Sequence, residues 1–401
     1  MATTLLLPNT DPTATMLLLA ATDHNIPVLE SLLKTTSANA LDPETQQTAL
    51  HVAIASCTPE DTAEELKAAS ETVKLLLQHG AIWNDLDMAG DTPGCIAERL
   101  GLMGLYELMV DAGVRAEMLL ARLDAYQELS GGEDEEMSVD GGGEATEPTD
   151  SSIKTDETGL TEPDKDNVTS AGYLASALTY HPDKLVDSDN NGVMMEWERG
   201  IMERSVEVLL PHKKPGRRVL NIGFGMGIID TFFQAKQPAH HVVVEPHPDV
   251  LARLTADGWA KKPGVEILPG RWQDVLPALV ARDIVFDAIY FDTFAEPYTS
   301  LRQFFSEFVI KLLAPAGSPG DGGRFSFFHG LGADRRISYD VYTRIVEMDL
   351  FEAGLETKWE IVLLKNGGDA AGEEGAALWH GVRRRYWVLG EYQLPVCQFL
   401  G

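Results

Sequence analysis

The stretch VLNIGFGMGIID, which runs from Val219 to Asp230, carries the clearest structural signal in the chain. In it an apolar run ends in three closely spaced glycines, and a helical pattern begins directly afterwards. This order predicts a buried strand, a tight turn and the N-terminus of a helix. Because glycine has no Cβ, such a turn can adopt positive φ and let a ligand approach the backbone closely.

The next apolar run, His241–Glu245, predicts a second buried strand with one carboxylate at its C-terminal end. An acidic residue about 20 positions after such glycines commonly binds the hydroxyl groups of a ribose. The region from Gly223 to Glu245 therefore predicts a nucleoside-binding βαβ unit. The alternative is a purely structural turn in an α/β sheet.

The spacing of the glycines favours one nucleoside ligand over another. It is Gly-x-Gly-x-Gly, whereas a pyrophosphate-binding turn has Gly-x-Gly-x-x-Gly. S-adenosyl-L-methionine carries no phosphate and needs only a close backbone and an acceptor for its ribose hydroxyls. We therefore expect S-adenosyl-L-methionine rather than NAD as the cofactor.

Composition narrows the range of partners. The chain has 401 residues, enough for two domains, and a formal net charge of −30. This charge repels phosphates, so it argues against nucleic-acid and membrane partners and favours a basic protein partner. The chain has three cysteines, Cys57, Cys95 and Cys397, which lie too far apart in sequence for a disulfide framework or a CxxC metal site. This pattern suits a protein of a reducing compartment. We expect a cytoplasmic and nuclear protein, with a monomer as the default oligomeric state.

Residues 1–128 are predicted to form an α-helical domain of ankyrin-like repeats. The segment Thr48–Ala53 resembles the Thr-Pro-Leu-His-x-Ala signature of an ankyrin repeat, and Gly90–Pro93 opens a later unit. Ankyrin repeats stack into a surface that binds partners, and they carry no chemistry of their own. A generic helical bundle is the alternative.

Two further expectations concern the spacing and the histidines of these repeats. Thr48 and Thr92 lie 44 positions apart, more than the ~33 of a standard repeat. We expect the surplus within Thr58–Ala69, as a longer first helix or a loop. His51 and His79 are assigned to hydrogen bonds inside the repeats rather than to ligand binding.

Residues 129–168 are predicted to be an acidic, disordered linker. Gly, Asp, Glu, Thr and Ser dominate this segment, and large apolar residues are scarce. Such a composition cannot bury enough apolar surface to offset the entropy lost on ordering.

Residues 169–401 are predicted to form an α/β domain in which strands alternate with helices and end in a strand pair joined by a flexible loop, residues 366–375. The strands expected after His241–Glu245 are Val265–Leu268, Phe286–Asp292, Arg324–His329, Trp359–Leu364 and Arg385–Leu389. This order predicts a Rossmann-like sheet of the class I S-adenosylmethionine-dependent methyltransferases. Asp292 then ends a strand at the edge where open α/β sheets bind ligands.

Three segments of this domain together resemble guanidinoacetate N-methyltransferase, although each alone is weak evidence. They are Val193–Glu198 with Met202, Gly223–Met226, and Tyr290–Thr293. With the ankyrin-like region and the acidic linker added, essentially the whole chain resembles the fungal type IV protein arginine N-methyltransferases. This resemblance implies methylation of the internal, carbon-bearing δ nitrogen of an arginine in a basic protein substrate such as a ribosomal protein.

The resemblance also implies which residues contact the cofactor. The matching positions are Tyr173, Met202, Gly223, Phe224, Gly225, Met226, Gly227, Ile228, Glu245, Pro246, His247, Arg271, Trp272 and Asp292. Within this set, the glycine turn would wrap the methionine and ribose parts, and Glu245 would bind the ribose hydroxyls. Tyr173 and Met202 would cover the cofactor. Pro246 and His247 would line the adenine, with Arg271 and Trp272 on the opposite side.

Two carboxylates, Glu198 and Asp292, match the positions that hold the guanidino group. One loop departs from the pattern, because His329–Gly332 lacks the hydroxyl residues that grip the carboxylate of guanidinoacetate. A peptide arginine has no such carboxylate nearby, so the departure fits a protein substrate. It also leaves the substrate contacts of this loop open.

The chemistry of a guanidinium ion explains why two carboxylates are needed. Its pKa lies above ~12 and its lone pairs are delocalised, so it is a poor nucleophile. Paired carboxylates can orient the planar cation, and one of them can accept the departing proton. We assign Asp292 as the base and Glu198 as the orienting group. Without the resemblance, Glu198 could equally be a solvated carboxylate at a helix start and Asp292 a turn residue.

Two other functions stay open at this point. One is a small-molecule guanidino N-methyltransferase with regulatory repeats, and the other is a non-catalytic ankyrin scaffold. No metal is expected, because His240, His241 and His247 lack further ligands at suitable spacing.

Overall fold

The structure is a computed structural model that describes residues 11–130, 168–212, 214, 216–317, 322–364 and 378–401. The predicted acidic linker falls outside these ranges, apart from residues 129, 130 and 168, and so does the predicted loop 366–375. The chain divides into two compact units, Met1–Pro163 with Arg336–Val341, and Asp164–Arg335 with Tyr342–Gly401. Among the described residues, no helix is long and apolar enough to cross a membrane.

The first unit consists of helices that pack in pairs. Its helices within the described ranges are α1 (Pro12–Thr22), α2 (Ile26–Leu32), α3 (Ala49–Ala55), α4 (Ala63–Gln78), α5 (Pro93–Arg99) and α6 (Met103–Ser130). Each odd-numbered helix packs on the even-numbered helix that follows it, and successive pairs stack on one another. The result is a layer of first helices beside a layer of second helices.

Buried threonine and histidine side chains fix the ends of these helices. Thr92 caps α5 by accepting a 3.2 Å hydrogen bond from the Cys95 amide. His51 has no solvent exposure; its Nδ1 accepts from the Thr48 amide at 3.1 Å, and its Nε2 donates to the Asp91 carbonyl at 3.2 Å. His51 therefore ties α3 to the loop before α5 and has a structural role, as predicted.

The extra residues between Thr48 and Thr92 do not lengthen helix α3. α3 ends at Ala55, and the extra length forms a loop and the first turns of the 16-residue α4. Thr62 and Glu65 start α4 with reciprocal side-chain to backbone hydrogen bonds, an arrangement that stabilises a helix N-terminus.

The second unit contains two sheets and the helices that cover them. Its strands are β1 (Thr179–Tyr180), β2 (Lys184–Val186), β3 (Gly192–Met195), β4 (Arg218–Ile222), β5 (His240–Glu245), β6 (Val265–Pro269), β7 (Ala288–Phe291), β8 (Arg324–Phe327), β9 (Leu355–Leu363) and β10 (Glu391–Phe399). Its helices are α7 (Ser170–Ala175), α8 (Arg199–Leu209), α9 (Ile228–Ala235), α10 (Pro248–Ala256), α11 (Trp272–Val280), α12 (Tyr298–Gln303), α13 (Ile310–Leu312) and α14 (Arg336–Glu352), of which the part Arg336–Val341 is assigned to the first unit.

The larger sheet has the strand order β6-β5-β4-β7-β8-β10-β9. Strands β4 to β8 are parallel to their neighbours in this group, whereas β10 is antiparallel to both β8 and β9. All residues of β7 and nearly all of β4 and β5 are buried, as expected for parallel strands covered on both faces. The predicted α/β, Rossmann-like sheet is therefore confirmed.

The strand order places a crevice at one point of this sheet. From β4 the chain proceeds to β5 and β6 on one side, while β7 and β8 lie on the other side. Ligands of open α/β sheets bind at the carboxyl ends of the strands where the order reverses. Here that point lies between β4, which leads into Gly223, and β7, which leads into Asp292.

The prediction for the final strand is wrong. Arg385–Leu389 has no regular structure, and the last strand is β10, residues Glu391–Phe399. Proline cannot donate to a neighbouring strand, so Pro395 makes this segment a poor candidate from sequence. Tyr392 and Leu394, which precede Pro395 in this strand, are nevertheless fully buried. The alternating burial of side chains therefore outweighs the unfavourable effect of the proline.

A small antiparallel sheet, β1-β2-β3, was not predicted. Its strands have two to four residues, which is too short for a clear alternation of apolar and polar side chains. This sheet contributes Tyr180 and Met194 to the candidate site described next.

Candidate active site

The glycine turn after β4 lies directly against the end of β7. Gly223 has φ of 90°, and a Cβ on it would lie 1.9 Å from the carbonyl oxygen of Asp292. The Asp292 amide in turn donates to the Ile222 carbonyl at 2.9 Å. Only glycine fits this contact, which fixes the position of Asp292 beside the turn.

The turn is supported from the small sheet. The Tyr180 hydroxyl donates to the Gly225 carbonyl at 3.2 Å, and the Met226 amide contacts Met194 Sδ at 3.2 Å. Gly227 has φ of 70° and occupies the position before α9. These contacts support the turn, whose residues Gly223, Phe224 and Gly225 line the cleft described below.

A buried polar network lies beneath the turn. Asn221 Nδ2 donates to the Gly223 carbonyl at 2.7 Å and to Asp230 Oδ2 at 2.9 Å. His241 Nε2 donates to Asp230 Oδ1 at 2.9 Å, and Gln234 Nε2 donates to His241 Nδ1 at 2.9 Å. The network links β4, α9 and β5, so the shape of the turn depends on interior side chains as well as on glycine.

Glu245 closes the other side of the turn. Its carboxylate accepts hydrogen bonds from the amides of Phe224 at 2.8 Å and His247 at 2.7 Å. Burial raises the pKa of Glu245 to about 7, although these amides act in the opposite direction. Each carboxylate oxygen has a second lone pair, so the group can also accept from two hydroxyls of a ligand.

These elements enclose a cleft with about 620 Å³ of empty volume, part of it open to solvent. The lining residues are Ser170, Tyr173, Leu174, Val193, Met194, Ile222, Gly223, Phe224, Gly225, Val244, Glu245, Pro246, Arg271, Trp272, Asp292, Thr293, Phe294 and Glu296. Nine of the fourteen cofactor positions implied by the resemblance are among them.

The other five implied positions are not among the lining residues. They are Met202, Met226, Gly227, Ile228 and His247. Met202 is fully buried in a core cluster with Met194 and Tyr290. His247 caps α10 and donates from Nε2 to the Tyr173 carbonyl at 3.1 Å, so it positions Tyr173.

Several lining residues were not predicted. Tyr173 packs edge-on against Phe294, with ring centroids 5.0 Å apart. Trp272 donates from Nε1 to Glu296 at 2.9 Å. Phe294 and Glu296 belong to the loop after Asp292, whose sequence has no periodic pattern that would have placed it in the cleft.

Asp292, one of the residues that line this cleft, has an unpaired acceptor atom. Its Oδ2 atom is shielded from solvent and has no hydrogen-bond partner in the part of the chain that the structure describes. Burial raises the pKa of this carboxyl to about 7. A buried acceptor without a donor is costly, so the site suits a ligand that brings a donor or a positive charge.

Glu198 lies close enough to Asp292 for their charges to interact. It follows β3 on a single turn of 3₁₀ helix, and only 4% of its surface is exposed. Burial, followed by the negative charge of Asp292, raises the pKa of Glu198 well above its usual range. A planar cation between the two carboxylates would relieve both effects.

The Asp292→Asn variant should stabilise the ligand-free protein near neutral pH. An aspartate in the unfolded chain has a pKa near ~4, whereas the folded value is about 7. The group therefore costs no stability below pH ~4, and its cost grows as the pH rises toward 7. Melting temperatures of variant and wild type should diverge over that interval, with the variant higher. A variant that melts at or below the wild-type temperature throughout would contradict the raised pKa.

No group of three or more metal-ligating side chains occurs within the described ranges.

Part of the second unit is similar to a known protein family. A sequence model of the guanidinoacetate N-methyltransferase family matches residues 166–321. A solved structure of M. jannaschii TYW2 in complex with AdoMet is 10% identical and covers 56% of this chain and 87% of its own, with a TM-score of 0.32. That similarity is too low to carry an argument.

Curated relatives match along nearly the full length. A protein arginine N-methyltransferase 2 from Aspergillus fumigatus is 48% identical, with 98% of this chain and 97% of the relative covered. One from Emericella nidulans is 47% identical, with 96% of both covered, and one from Yarrowia lipolytica is 40% identical over 88% of this chain. Identity of this extent and level shows that the chain belongs to the protein arginine N-methyltransferase 2 family.

Proposed function

We propose that this chain transfers a methyl group from S-adenosyl-L-methionine to the δ nitrogen of an arginine in a basic protein. The observation that carries the proposal is the unpaired, shielded Oδ2 of Asp292, a residue that lines the same cleft as Gly223. In this proposal the nucleoside site and the cation site adjoin each other at the carboxyl ends of β4 and β7. Membership of an arginine N-methyltransferase family agrees with this juxtaposition.

The residues present fit S-adenosyl-L-methionine. Gly223 brings the turn against the end of β7 and lines the cleft, Glu245 has two further lone pairs for ribose hydroxyls, and the cleft adds Tyr173 and Trp272 as apolar walls. When bound, this cofactor supplies an electrophilic methyl group on a sulfonium ion. The work of this chain is to exclude water, to orient the nucleophile and to accept a proton.

Asp292 and Glu198 perform the last two tasks in this proposal. An arginine side chain that enters between them favours the ionised form of both carboxylates, which offsets their burial. Asp292 then accepts the proton that the guanidinium releases as its nitrogen reacts, since burial raises the pKa of its carboxyl to about 7. Glu198 holds the other side of the planar group and prevents its rotation.

The choice of the δ nitrogen is supported by the match to guanidinoacetate N-methyltransferase over residues 166–321. In that resemblance the nitrogen that bears the carbon chain is the one methylated. The same orientation in this chain presents the carbon-bearing nitrogen of arginine. The two terminal nitrogens would then face the carboxylates.

We further propose three domains: ankyrin-like repeats at 1–128, an acidic linker at 129–168 and the methyltransferase at 169–401. The stacked helix pairs and the His51 bridge support the repeats. In this proposal the repeats and the net charge of −30 recruit a basic substrate, such as a ribosomal protein, to a monomeric enzyme in the cytoplasm and nucleus.

Replacing Glu198 with glutamine should weaken substrate binding. The neutral amide cannot pair with the guanidinium, so the KM for an arginine-containing protein should rise about tenfold to a hundredfold. The affinity for S-adenosyl-L-methionine should stay within about twofold, because Glu198 is not among the residues that line the cleft. Glu196→Gln is the matched control, since Glu196 is exposed and pairs with Arg199. Equal effects of the two variants on KM would remove Glu198 from the substrate site.

A substrate competition distinguishes the proposed function from a small-molecule guanidino N-methyltransferase. Purified enzyme is given labelled S-adenosyl-L-methionine with an arginine-rich basic protein, guanidinoacetate or free arginine at equal guanidino concentration. The proposal predicts label in the protein, at a rate at least about tenfold above either small molecule. Preferential label in guanidinoacetate would favour the second function, for which the family match is the supporting observation.

A further inference from the structure

We propose that Tyr386 is a positioning residue for substrate binding, because its phenol group holds Glu198 so that one carboxylate oxygen stays free for the guanidinium. This inference rests on the proposed function and adds a residue that neither the sequence analysis nor the family resemblance implied. Tyr386 does not contact the reacting atoms in this proposal. It acts through Glu198.

The contact itself is direct. The Tyr386 hydroxyl donates a short hydrogen bond to Oε1 of Glu198. The Met195 backbone, at the end of β3, acts with Tyr386 to lower the pKa of this carboxyl. With Oε1 held by Tyr386, we assign Oε2 as the oxygen that pairs with the cation.

The backbone around Tyr386 positions this side chain beside Glu198. We call residues Trp379–Leu389 the C-terminal strap. The strap has almost no regular structure and is tied to two loops: the Arg383 amide donates to the Asn190 carbonyl at 2.8 Å, and the Val388 amide donates to the Ala333 carbonyl at 3.0 Å. The strap therefore brings Tyr386 to Glu198 across 188 positions of sequence.

Aromatic side chains then fix the ring of Tyr386. Its centroid lies 4.9 Å from that of Trp379, edge to face, and 6.1 Å from that of Trp197. On another side, a Cβ on Gly192 would lie 3.2 Å from Cε1 of Tyr386, so the backbone of β3 packs closely against the ring. The phenol has little freedom to turn away from Glu198.

The hydrogen bond has a consequence for charge. Burial and Asp292 both raise the pKa of Glu198, while the Tyr386 hydroxyl lowers it. Without that donor, Glu198 would hold its proton to a higher pH and would lose its attraction for a cation. Tyr386 thus favours the ionised carboxylate as well as its orientation.

The test is the variant Tyr386→Phe, which removes one oxygen and keeps the ring. We expect kcat/KM for an arginine-rich protein to fall about tenfold to a hundredfold, as is usual when a hydrogen bond to a charged group is lost. The acid limb of the pH profile should move to higher pH. The affinity for S-adenosyl-L-methionine and the melting temperature should stay near wild type. Tyr298→Phe is the matched control, since Tyr298 donates to Asp349 at 2.6 Å, a carboxylate that is not among the cleft residues.

A double-mutant cycle separates positioning from a general structural role. In a Glu198→Gln background, Tyr386→Phe should cost less than about threefold, because the carboxylate on which it acts is gone. Equal losses in both backgrounds would overturn the inference, and so would an unshifted pH profile or a parallel loss of cofactor affinity and melting temperature.

The inference and the proposed function fail in different ways. A wild-type enzyme that labels no arginine-containing protein would overturn both. An active wild type whose Tyr386→Phe variant behaves like Tyr298→Phe would overturn the inference alone.

Discussion

Asp292→Asn is expected to lower kcat for protein methylation by about a hundredfold to ten-thousandfold, the usual range for loss of a general base. Asparagine keeps the size of the side chain and the backbone contact with Gly223, but it cannot accept a proton. The Oδ2 atom that is unpaired in the structure is the acceptor that this substitution changes. The loss should therefore appear in kcat under saturating substrate and cofactor.

The measurement is a single-turnover assay with labelled S-adenosyl-L-methionine. Cofactor affinity, measured by calorimetry, should change by less than about threefold, because the glycine turn and Glu245 are intact. Asp257→Asn is the matched control, since Asp257 is an exposed residue that pairs with Arg253. A kcat within about threefold of wild type for Asp292→Asn would show that another group accepts the proton.

The second large effect concerns the cofactor. Glu245→Gln should raise the Kd for S-adenosyl-L-methionine about a hundredfold. The amide group of glutamine can accept at only one atom, so one of the two backbone amides of Phe224 and His247 would face a donor instead. The same change removes an acceptor for a ribose hydroxyl, so the turn and the ligand are both affected.

Isothermal calorimetry with S-adenosyl-L-methionine measures this effect without any catalytic step. Glu266→Gln is the control, because Glu266 lies on the neighbouring strand β6 but pairs with Arg282 and His240 instead of the turn. If both variants bind the cofactor equally well, Glu245 is not part of the nucleoside site.

The sequence alone predicted those parts of the candidate site that are marked by a short local pattern of residues. Gly223 and Glu245 were recognisable because a glycine turn between two unbroken apolar runs, followed by an acidic residue, is typical of a nucleoside-binding unit. Asp292 followed from its place at the end of a strand, and the strand order of the sheet then puts it beside Gly223. In each case a short pattern and one rule about sheet edges were enough.

The parts of the site that sequence missed depend on long-range packing. Tyr386 lies in a segment whose aromatic and branched residues favour a strand, yet tertiary contacts hold it as an irregular strap. Its partner is 188 positions away, and no periodic pattern connects the two. Met202, which the resemblance places over the cofactor, is buried in a core cluster and is not among the residues that line the cleft, so its contact with the cofactor stays a prediction.

The most direct test of the central claim is the identity of the methylated amino acid. Wild-type enzyme is incubated with labelled S-adenosyl-L-methionine and a purified arginine-rich protein, the protein is hydrolysed in acid, and the labelled amino acid is identified by chromatography and mass spectrometry. We predict δ-methylarginine as the main labelled product, absent when Asp292→Asn replaces the wild type. Label found only in terminally methylated arginine, or only in a small guanidino compound, would contradict the account.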